Sequence, residues 1–523
     1  MSTLFRRPVV EAVLVALPFL VLYQWLAALH VEAELAVSNN HYFAADPALY
    51  GDMFTNLVAG GRRWMHPLLP IAVGLPGTGL TALGLPPRPV ACALTQLAAI
   101  GSLVLFQLVL RHAGCGLVLR GLGAALLGLS FSTLLHGVIP ESFAFGALAL
   151  LATTRLLQQG SQPGLCAVLL AAACYGTTVT NLGAWGGMAL VAIWFDRNPM
   201  LRRWVVTGVI GMAAMLAVWA LYETVFSGWG QLRVEPQYET VWWNWPVSEL
   251  QRLRDLGSVL FAPDVVMMPK TFAAPVVFEL SAGLGKLTTV LQIDADRSTL
   301  SYWPAGLAFG PLLLACTRWV SPEAAPRRLA WLFLANLLMQ LPVYFLYGDA
   351  LLAYSVHWTF SLCGGIVLLA HRLAVVGRLA LAALVAALVV CNVPVAFDIV
   401  AAHRVWRDEH WMLSAAADGG RFAATGAVGM ERGTARPFLL FPDDRVSTLP
   451  DAAVNWDKLP PYKIAPADWL FLGDGEVRDG EVAAQGVLPP GSVKGPAWVS
   501  LRLDGTWRGF RVEGFTFPRK LGR

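Results

Sequence analysis

The feature that most constrains this chain is a series of apolar blocks separated by short stretches rich in arginine. A helix of about 20 apolar residues spans the hydrocarbon core of a bilayer, and the blocks have about that length. The 523 residues are 56% hydrophobic and only 14% charged, whereas about a quarter of the residues of a soluble domain are charged. The sequence therefore predicts a polytopic α-helical membrane protein.

The charge and the cysteines exclude several other classes of protein. The net charge is only +4, and no basic stripe with interleaved aromatic residues is present, so nucleic acid is not an expected partner. The seven cysteines lie in or beside the apolar blocks, at positions 92, 115, 166, 174, 316, 363 and 391. This distribution predicts neither a disulfide framework nor a clustered Cys/His metal site. The first apolar block lacks a small-residue cleavage motif and is interpreted as a retained signal-anchor.

The arginine and lysine clusters predict the topology, because positive charges beside short loops stay in the cytoplasm. Placing every cluster inside predicts about eleven transmembrane helices, with a cytoplasmic N-terminus and an external C-terminus. The predicted spans are 9–30, 89–110, 117–135, 141–157, 165–178, 182–195, 204–226, 303–319, 328–346, 351–370 and 378–398.

Two apolar stretches do not fit the pattern of a single transmembrane helix. Residues 66–85 contain four glycines and three prolines, which interrupt helices, so we expect a short helix or a re-entrant segment on the outer face. Residues 165–195 are too long for one helix and carry the polar patch YGTTVTN (175–181) at their centre. We expect two short helices that meet at a buried polar turn, which a membrane tolerates only where protein or a water-filled cavity lines it.

The pattern changes after about residue 400. A transmembrane domain is predicted over 1–400, with outer loops 31–88 and 227–302. The segment 401–523 is polar and rich in Gly and Pro, and it contains alternating runs such as WVSLRLDG (498–505) and WRGFRVEGF (507–515). Alternation with a period of two, bounded by Gly, is typical of strands. A small β-rich or α/β soluble domain is therefore predicted outside the membrane.

The first outer loop holds several charged residues close to the membrane. The segment 47–61 has apolar residues at helical spacing and a proline at the first helical position, so it predicts an amphipathic helix on the membrane surface. Charged or titratable candidates flank or lie within it: Asp46, Asp52, Arg62, Arg63 and His66. Two structural alternatives stay open, because Asp46 is also a good N-cap and the arginine pair also suits lipid headgroups.

These pieces resemble the GT-C superfamily of membrane glycosyltransferases. The similarity rests on one span, an outer loop with Asp46, the helix 47–61, the run RRWMHPLLP (62–70) and the short outer loop with Pro140-Glu141-Ser142. It covers roughly 1–400 at the level of topology and is closest to the topology of protein mannosyltransferases and aminoarabinose transferases. The family often carries two adjacent acids or Asp-x-Asp in this loop, whereas here Asp52 follows Asp46 by six residues.

The resemblance implies an enzyme that takes a sugar from a polyprenyl-phosphate lipid by an inverting single displacement, with Asp46 as the base. A carboxylate near the acceptor hydroxyl can remove its proton, and arginines can bind the leaving phosphate. The acceptor would be a lipid, a glycan or a protein of the cell envelope, reached at the periplasmic face of an inner membrane. Because the acid pattern departs from that of the family, the identity of the base and the need for a divalent metal stay open.

Further candidates for substrate binding lie in the other outer segments. Glu141 opens a predicted span, where an acid in the first helical turn also suits the helix dipole. The run FLYGDALLAYSVHW (345–358) carries Asp349, Tyr354 and His357, which also suit a capped helix start. Lys270 in loop 227–302 is a candidate phosphate contact or a solvated lysine. The tryptophans of VWWNWP (241–246) suit sugar stacking or a membrane interface.

Two other functions compete with the glycosyltransferase. A transporter or flippase of a lipid or saccharide would carry ionisable residues within its spans and broken helices in repeats, and the polar patch 175–181 is its best support. An envelope assembly protein similar to an O-antigen ligase would use a lipid diphosphate and a large outer loop. The acidic first loop favours the glycosyltransferase over the ligase.

Overall fold

The fold is given by a computed structural model, and the descriptions below concern only part of the chain. That part covers residues 3–32, 47–57, 65–160, 163–197, 201–227, 272–273, 277–279, 294–295, 303–347, 351–408, 412–418, 421–427, 436–440, 446–448, 470–478, 481–487, 494–503 and 506–516. Contacts divide the chain into two compact units, of which the first comprises Met1–Val37, Ala45–Phe272 and Ala295–Asp398.

The first unit is built from helices. They are α1 (Thr3–Glu32), α2 (Pro47–Thr55), α3 (Leu75–Ala82), α4 (Pro87–His112), α5 (Leu117–Leu129), α6 (Phe131–His136), α7 (Phe143–Gln158), α8 (Leu165–Thr177), α9 (Asn181–Asp196), α10 (Leu201–Tyr222), α11 (Trp303–Ala315), α12 (Ala324–Tyr347), α13 (Leu351–Arg372) and α14 (Ala374–Asp408). Two π-helical turns, Pro70–Gly74 and Glu223–Ser227, precede α3 and follow α10.

Four of the described helices are long and apolar enough to cross a membrane. These segments are Arg7–Val31, Pro87–His112, Leu201–Phe226 and Ala374–Phe397. Their outward faces carry large apolar side chains such as Val21 and Val390, which are 70% and 72% exposed. In water such surfaces would be costly, whereas lipid covers them at no cost. The chain is therefore a helical protein embedded in a membrane.

The predicted span 117–135 is not one helix, because the chain breaks at Ser130. The backbone of Ser130 is extended, with φ −57° and ψ 139°, and it separates α5 from α6. Its hydroxyl donates a 2.9 Å hydrogen bond to Thr133 Oγ1. Asn392 of α14 donates a 2.6 Å bond from Nδ2 to the carbonyl of Leu129, which ends α5. A side chain from a distant helix thus satisfies a carbonyl that the break releases.

The glycine- and proline-rich stretch 66–85 forms short helical segments, as predicted. The π-helical turn begins at Pro70 and leads into α3. A Cβ added at Gly74 would lie 2.8 Å from the carbonyl oxygen of Met53, and one added at Gly77 would overlap the carbonyl oxygen of Phe54. The glycines therefore allow this segment to pack directly on the backbone of α2.

One ion pair joins the end of α9 to the start of α12. Arg328 donates from both terminal nitrogens to the two carboxylate oxygens of Asp196, with 2.9 Å between NH2 and Oδ2. The guanidinium is almost fully buried, and the carboxylate is about one third exposed (32%). A bidentate pair of this kind holds two planar groups in one geometry and so fixes the register of the two helices.

The second unit contains most of the strands. The described strands are β1 (Phe272–Ala273), β2 (Val277–Glu279), β3 (Asp294–Ala295), β4 (Met412–Asp418), β5 (Arg421–Ala427), β6 (Arg436–Leu440), β7 (Val446–Thr448), β8 (Leu470–Arg478), β9 (Glu481–Val487), β10 (Lys494–Leu503) and β11 (Thr506–Thr516). Strands β10, β11, β4, β5, β9 and β8 pair in that order and close on themselves. The two alternating runs singled out in the sequence lie on β10 and β11.

Candidate functional site

The helix α2 is anchored by one buried histidine. Its apolar side, including Tyr50 and Phe54, packs on Leu69 and Val73. The Tyr50 hydroxyl lies 2.7 Å from Nε2 of His66, and Nδ1 of His66 lies 2.5 Å from the carbonyl oxygen of Thr177. Because a carbonyl oxygen only accepts, Nδ1 carries the proton of a neutral His66 and Nε2 accepts from Tyr50. The pair of bonds therefore holds His66 in one tautomer.

The segment around His66 also pairs with the turn between α8 and α9. The backbone N–H of Leu68 donates to the carbonyl of Gly176 at 2.8 Å, and the N–H of Val179 donates to the carbonyl of Met65 at 3.2 Å. Thr177 and Thr178 at this turn are buried. The sequence predicts two short helices meeting at a buried polar turn, and the structure confirms this feature. Protein backbone, rather than lipid, satisfies the broken helix.

A second group of polar side chains links α9, α12 and α13. Gln340 Nε2 donates a 2.8 Å bond to Asn181 Oδ1 at the start of α9. Asn336, one turn earlier on α12, donates from Nδ2 to the carbonyl of His357 at 2.9 Å and to the hydroxyl of Ser361 at 3.1 Å. All these side chains are buried. Buried polar side chains in a membrane protein are costly, so they commonly mark a functional site.

Two polar atoms of this group point to the same place. Asn181 Nδ2 and His357 Nε2 are buried and have no hydrogen-bond partner among the described residues. A Cβ added at Gly146 of α7 would overlap His357 Nε2 and lie 2.9 Å from Asn181 Nδ2. The two atoms therefore lie on the same side of Gly146, against its bare backbone, where a Cβ would otherwise project. Unsatisfied buried polar atoms call for a specific explanation, and ligand binding is one.

His136 completes the cluster at the end of α6. Both of its ring nitrogens are buried and have no partner among the described residues. Phe143 lies edge-on to His136 and to His357, with ring centroids 5.2 Å and 5.7 Å away. His66 reaches the same region through its bond to the carbonyl of Thr177, which lies four residues before Asn181. Three histidines from distant parts of the sequence thus lie around one buried region, which we call the histidine cluster (His66, His136 and His357).

The structure brings three of the predicted site residues together. His66 and His357 belong to the histidine cluster, and the ring of Tyr354 packs on Phe143 at 5.3 Å. Glu141 is fully buried, with 1% of its surface exposed, in the turn between α6 and α7. His136 is also fully buried, with 0% of its surface exposed.

Glu141 differs from its predicted place in the first turn of a span. The helix α7 begins at Phe143, and Ser142 is its N-cap. The Glu141 Oε1 accepts a 2.8 Å bond from the Ser142 N–H and a 3.2 Å bond from the Ser142 hydroxyl. The carboxylate therefore closes the turn before the helix, where it satisfies a backbone N–H that has no helical partner.

Of the other predicted site residues, Asp52 is described, and it does not belong to the cluster. Asp52 is exposed on α2, whereas Tyr50, Met53 and Phe54 of the same helix are buried. The helix α2 ends at Thr55 rather than at 61; Asn56, a weak helix former, follows it. The remaining predicted residues lie outside the described part of the chain: Asp46, Arg62, Arg63, Lys270 and Asp349.

Sequence reasoning missed Tyr50, Gly146, Asn336 and Gln340. Asn336 and Gln340 are spaced by four residues in an apolar helix, which places them on one face. A polar pair at this spacing within a predicted transmembrane span is a sequence signal that could have identified both residues. For Gly146 there was no such signal, because its role depends on side chains from two other helices.

Comparisons with known proteins and the search for metal sites add no assignment. Within the described ranges, no group of three or more His, Cys, Asp or Glu side chains is placed to hold a metal ion. No family model, curated protein or solved structure matches the chain. Function is therefore inferred from the residues of the site and their geometry.

Proposed function

We propose that the chain is a membrane glycosyltransferase of the GT-C type, which moves a sugar from a polyprenyl-phosphate lipid to an acceptor of the cell envelope. The observation that carries the proposal is the convergence on the histidine cluster. The segments that the sequence analysis singles out, around His66, Glu141 and Tyr354, are distant in sequence yet come together beside apolar helices. A site for a lipid-linked substrate needs polar groups held next to the bilayer, and this arrangement supplies them.

In the proposed mechanism Asp46 is the base that removes the proton of the acceptor hydroxyl. It directly precedes Pro47, the first residue of α2. The bonds from Tyr50 to His66 and from His66 to Thr177 anchor α2, so the start of this helix has a fixed support. A base gains its effect from a position within hydrogen-bond reach of the hydroxyl, and a rigid support lowers the entropic cost of reaching it.

The leaving phosphate is assigned in the same proposal to Arg62 and Arg63. These residues lie three and two positions before Met65, the first residue of the segment 65–68, whose backbone pairs with the turn between α8 and α9. Arginine binds phosphate oxygens through two parallel N–H groups. His136, Asn181 and His357 offer further groups, which we assign to hydroxyls of the sugar or the acceptor. A neutral histidine ring can donate one hydrogen bond, and the side-chain amide of Asn181 can donate two.

The proposal includes a topology and a second domain. About eleven helices would cross an inner membrane, with the N-terminus in the cytoplasm and the histidine cluster towards the periplasm. The strands of the segment 401–523 would form a β-rich periplasmic domain that positions the acceptor. The apolar helices support the membrane location, and the arginine clusters support the orientation through the positive-inside rule.

The test is transfer of radiolabelled sugar from polyprenyl-phosphate donors by the full-length chain in proteoliposomes. His357→Leu removes the ring nitrogen that faces Gly146, and we expect the initial rate to fall about tenfold or more, the equivalent of one lost hydrogen bond in the transition state. The matched control is His371→Leu, because His371 lies exposed at the other end of α13. Thermal unfolding of both variants is measured in parallel.

Equal rates in both variants, with folded protein, would contradict a role of the histidine cluster in transfer. Donors with a diphosphate in place of the monophosphate are tested in the same vesicles. Transfer from the diphosphate donor alone would favour the ligase-like alternative and contradict the GT-C proposal.

A transporter or flippase remains the second candidate because polar pairs extend along the helices. Besides the bonds of Asn181 and Asn336, Ser132 and Thr359 lie 2.9 Å apart between α6 and α13. A broken helix and buried polar residues also occur in transporters. Movement of a labelled polyprenyl-phosphate lipid across the vesicle membrane without sugar transfer would support this function and contradict the first.

A further inference from the structure

We propose that the first half of α1, the end of α4 and the start of α5 form a binding site for the phosphate of an anionic phospholipid. The site consists of Arg7, Arg111 and Arg120 around Glu11, and we call it the arginine site. It lies at the start of α5, whereas His136 follows α5 at the end of α6. The arginine site is therefore separate from the histidine cluster and does not depend on the proposed transfer reaction.

Three guanidinium groups share one carboxylate in this site. The distances to the Glu11 carboxylate are 3.4 Å from Arg7 Nε, 3.5 Å from Arg111 NH1 and 3.3 Å from Arg120 NH2. One negative charge is thus placed among three positive charges, which leaves a net charge of +2 from these four groups. An additional anion would be attracted to the site, and a low-dielectric surrounding strengthens that attraction.

Arg120 indicates where the anion would bind. Its side chain is only 6% exposed, and Nε and NH1 are buried without a hydrogen-bond partner among the described residues. A buried guanidinium usually has its donors paired, because desolvation of an unpaired charge is costly. These Nε–H and NH1 groups lie on different edges of the guanidinium, and each can donate a hydrogen bond to a phosphate oxygen. Arg111, with an exposed fraction of 45%, lies on the open side of the same carboxylate.

The surroundings favour a lipid over a soluble phosphate. Val10 and Leu14, four residues apart on α1, are 53% and 59% exposed, and Val118 at the start of α5 is 65% exposed. These apolar side chains lie on the same helical segments as the arginines and suit the acyl chains of a lipid. Basic pockets between membrane helices bind anionic headgroups in this manner.

The experiment measures lipid binding to the full-length chain in a neutral detergent by native mass spectrometry. Phosphatidylglycerol is the anionic probe, phosphatidylcholine is the zwitterionic control, and inorganic phosphate is the soluble competitor. We expect the wild type to prefer phosphatidylglycerol. Arg120→Gln and Arg111→Gln should each weaken its binding about fivefold, as expected for one arginine near an anionic lipid. Arg202→Gln, an exposed arginine at the start of α10, is the matched control and should bind like the wild type.

Glu11→Gln gives the decisive comparison, because it removes the competing carboxylate. The proposal predicts tighter binding of phosphatidylglycerol by this variant, an effect opposite in sign to that of a misfolded protein. Equal binding of the two lipids, or equal weakening by the Arg111, Arg120 and Arg202 variants, would overturn the proposal. Displacement of the lipid by millimolar inorganic phosphate, which then binds alone, would assign the arginine site to a soluble anion and would also overturn it.

Discussion

At the scale of single residues, the three histidines of the cluster have different hydrogen-bonding environments. His66 is paired on both ring nitrogens, with Tyr50 and with the carbonyl of Thr177. His136, by contrast, has no partner on either nitrogen among the described residues, and His357 has none on Nε2. We infer a division of roles, in which His66 supports the fold of the site and the other two bind substrate.

Tyr50→Phe tests the supporting role of His66. The change removes one buried hydrogen bond and leaves His66 Nε2 unpaired by Tyr50, so we expect the free energy of unfolding to fall by about 1 kcal/mol. Thermal unfolding in detergent measures the loss. Tyr175→Phe, at a half-buried tyrosine of α8, is the control and should unfold close to the wild-type temperature. An unchanged unfolding temperature of Tyr50→Phe would mean that this bond does not hold α2.

Substitutions of Glu141 separate its charge from its hydrogen bonds. Glu141→Gln keeps an oxygen that can accept from the Ser142 N–H, whereas Glu141→Ala leaves this buried N–H without its acceptor. We expect the Ala variant to lose about 1–3 kcal/mol of stability and the Gln variant to lose less than about 1 kcal/mol. Chemical denaturation of both variants tests the difference. Equal losses would show that the charge, rather than the hydrogen bond to Ser142, stabilises the turn.

At the scale of elements, the sequence predicts where a helix is interrupted, but it does not predict which distant segments contact each other. The polar patch 175–181 and the glycines and prolines of 66–85 interrupt a helix locally, whatever their tertiary contacts. The broken helix and the short helical segments could therefore be predicted from the sequence. The pairing of these two segments with each other depends on tertiary contacts. The break at Ser130 was missed for the same reason, because Asn392 compensates for it from more than two hundred residues away.

Gly176→Ala tests the contact between the segment 65–68 and the turn after α8. A Cβ at this position would lie 2.5 Å from the Leu68 Cβ and 2.7 Å from the Met215 Sδ. We expect the overpacking to cost about 1–3 kcal/mol, because Leu68 is held by its backbone bond to Gly176. The matched control is Gly186→Ala on α9, where an added Cβ meets nothing within 4 Å, and this change should be neutral or slightly stabilising. Equal unfolding temperatures for the two variants would rule out the close contact.

At the scale of the whole molecule, we propose that the arrangement of charge sets the orientation in the membrane. In this proposal, the positive-inside rule places the arginine site and the ends of α4 and α7 in the cytoplasm. The apolar, weakly charged composition predicts a helical membrane protein, and the four described helices that are long and apolar enough to cross a membrane agree with this prediction. The site could not be predicted as a whole, because Asn181, Gln340 and Gly146 have their role only once α7, α9 and α12 are packed together.

Chemical labelling of two native cysteines tests the proposed orientation. Cys166 at the start of α8 is exposed, and Cys115 between α4 and α5 is buried. Burial raises the pKa of the Cys115 thiol to about 12, although nearby Arg120 lowers it, so its reactive thiolate stays scarce at pH 8 to 9. We expect a membrane-impermeant maleimide to label Cys166 from the cytoplasmic side only, and Cys115 from neither side. Cys166→Ser is the control, and labelling of Cys166 from the outside would invert the proposed topology.

The most direct test of the central claim compares two acids of the first outer loop. Membranes carrying matched amounts of the wild type, Asp46→Asn or Asp52→Asn are supplied with polyprenyl-phosphate donors that carry a radiolabelled sugar. Loss of a general base lowers the rate by about a hundredfold or more, which we predict for Asp46→Asn, whereas the exposed Asp52 should give a much smaller loss. Transfer by Asp46→Asn at the wild-type rate would reduce Asp46 to a helix cap and contradict the proposed mechanism.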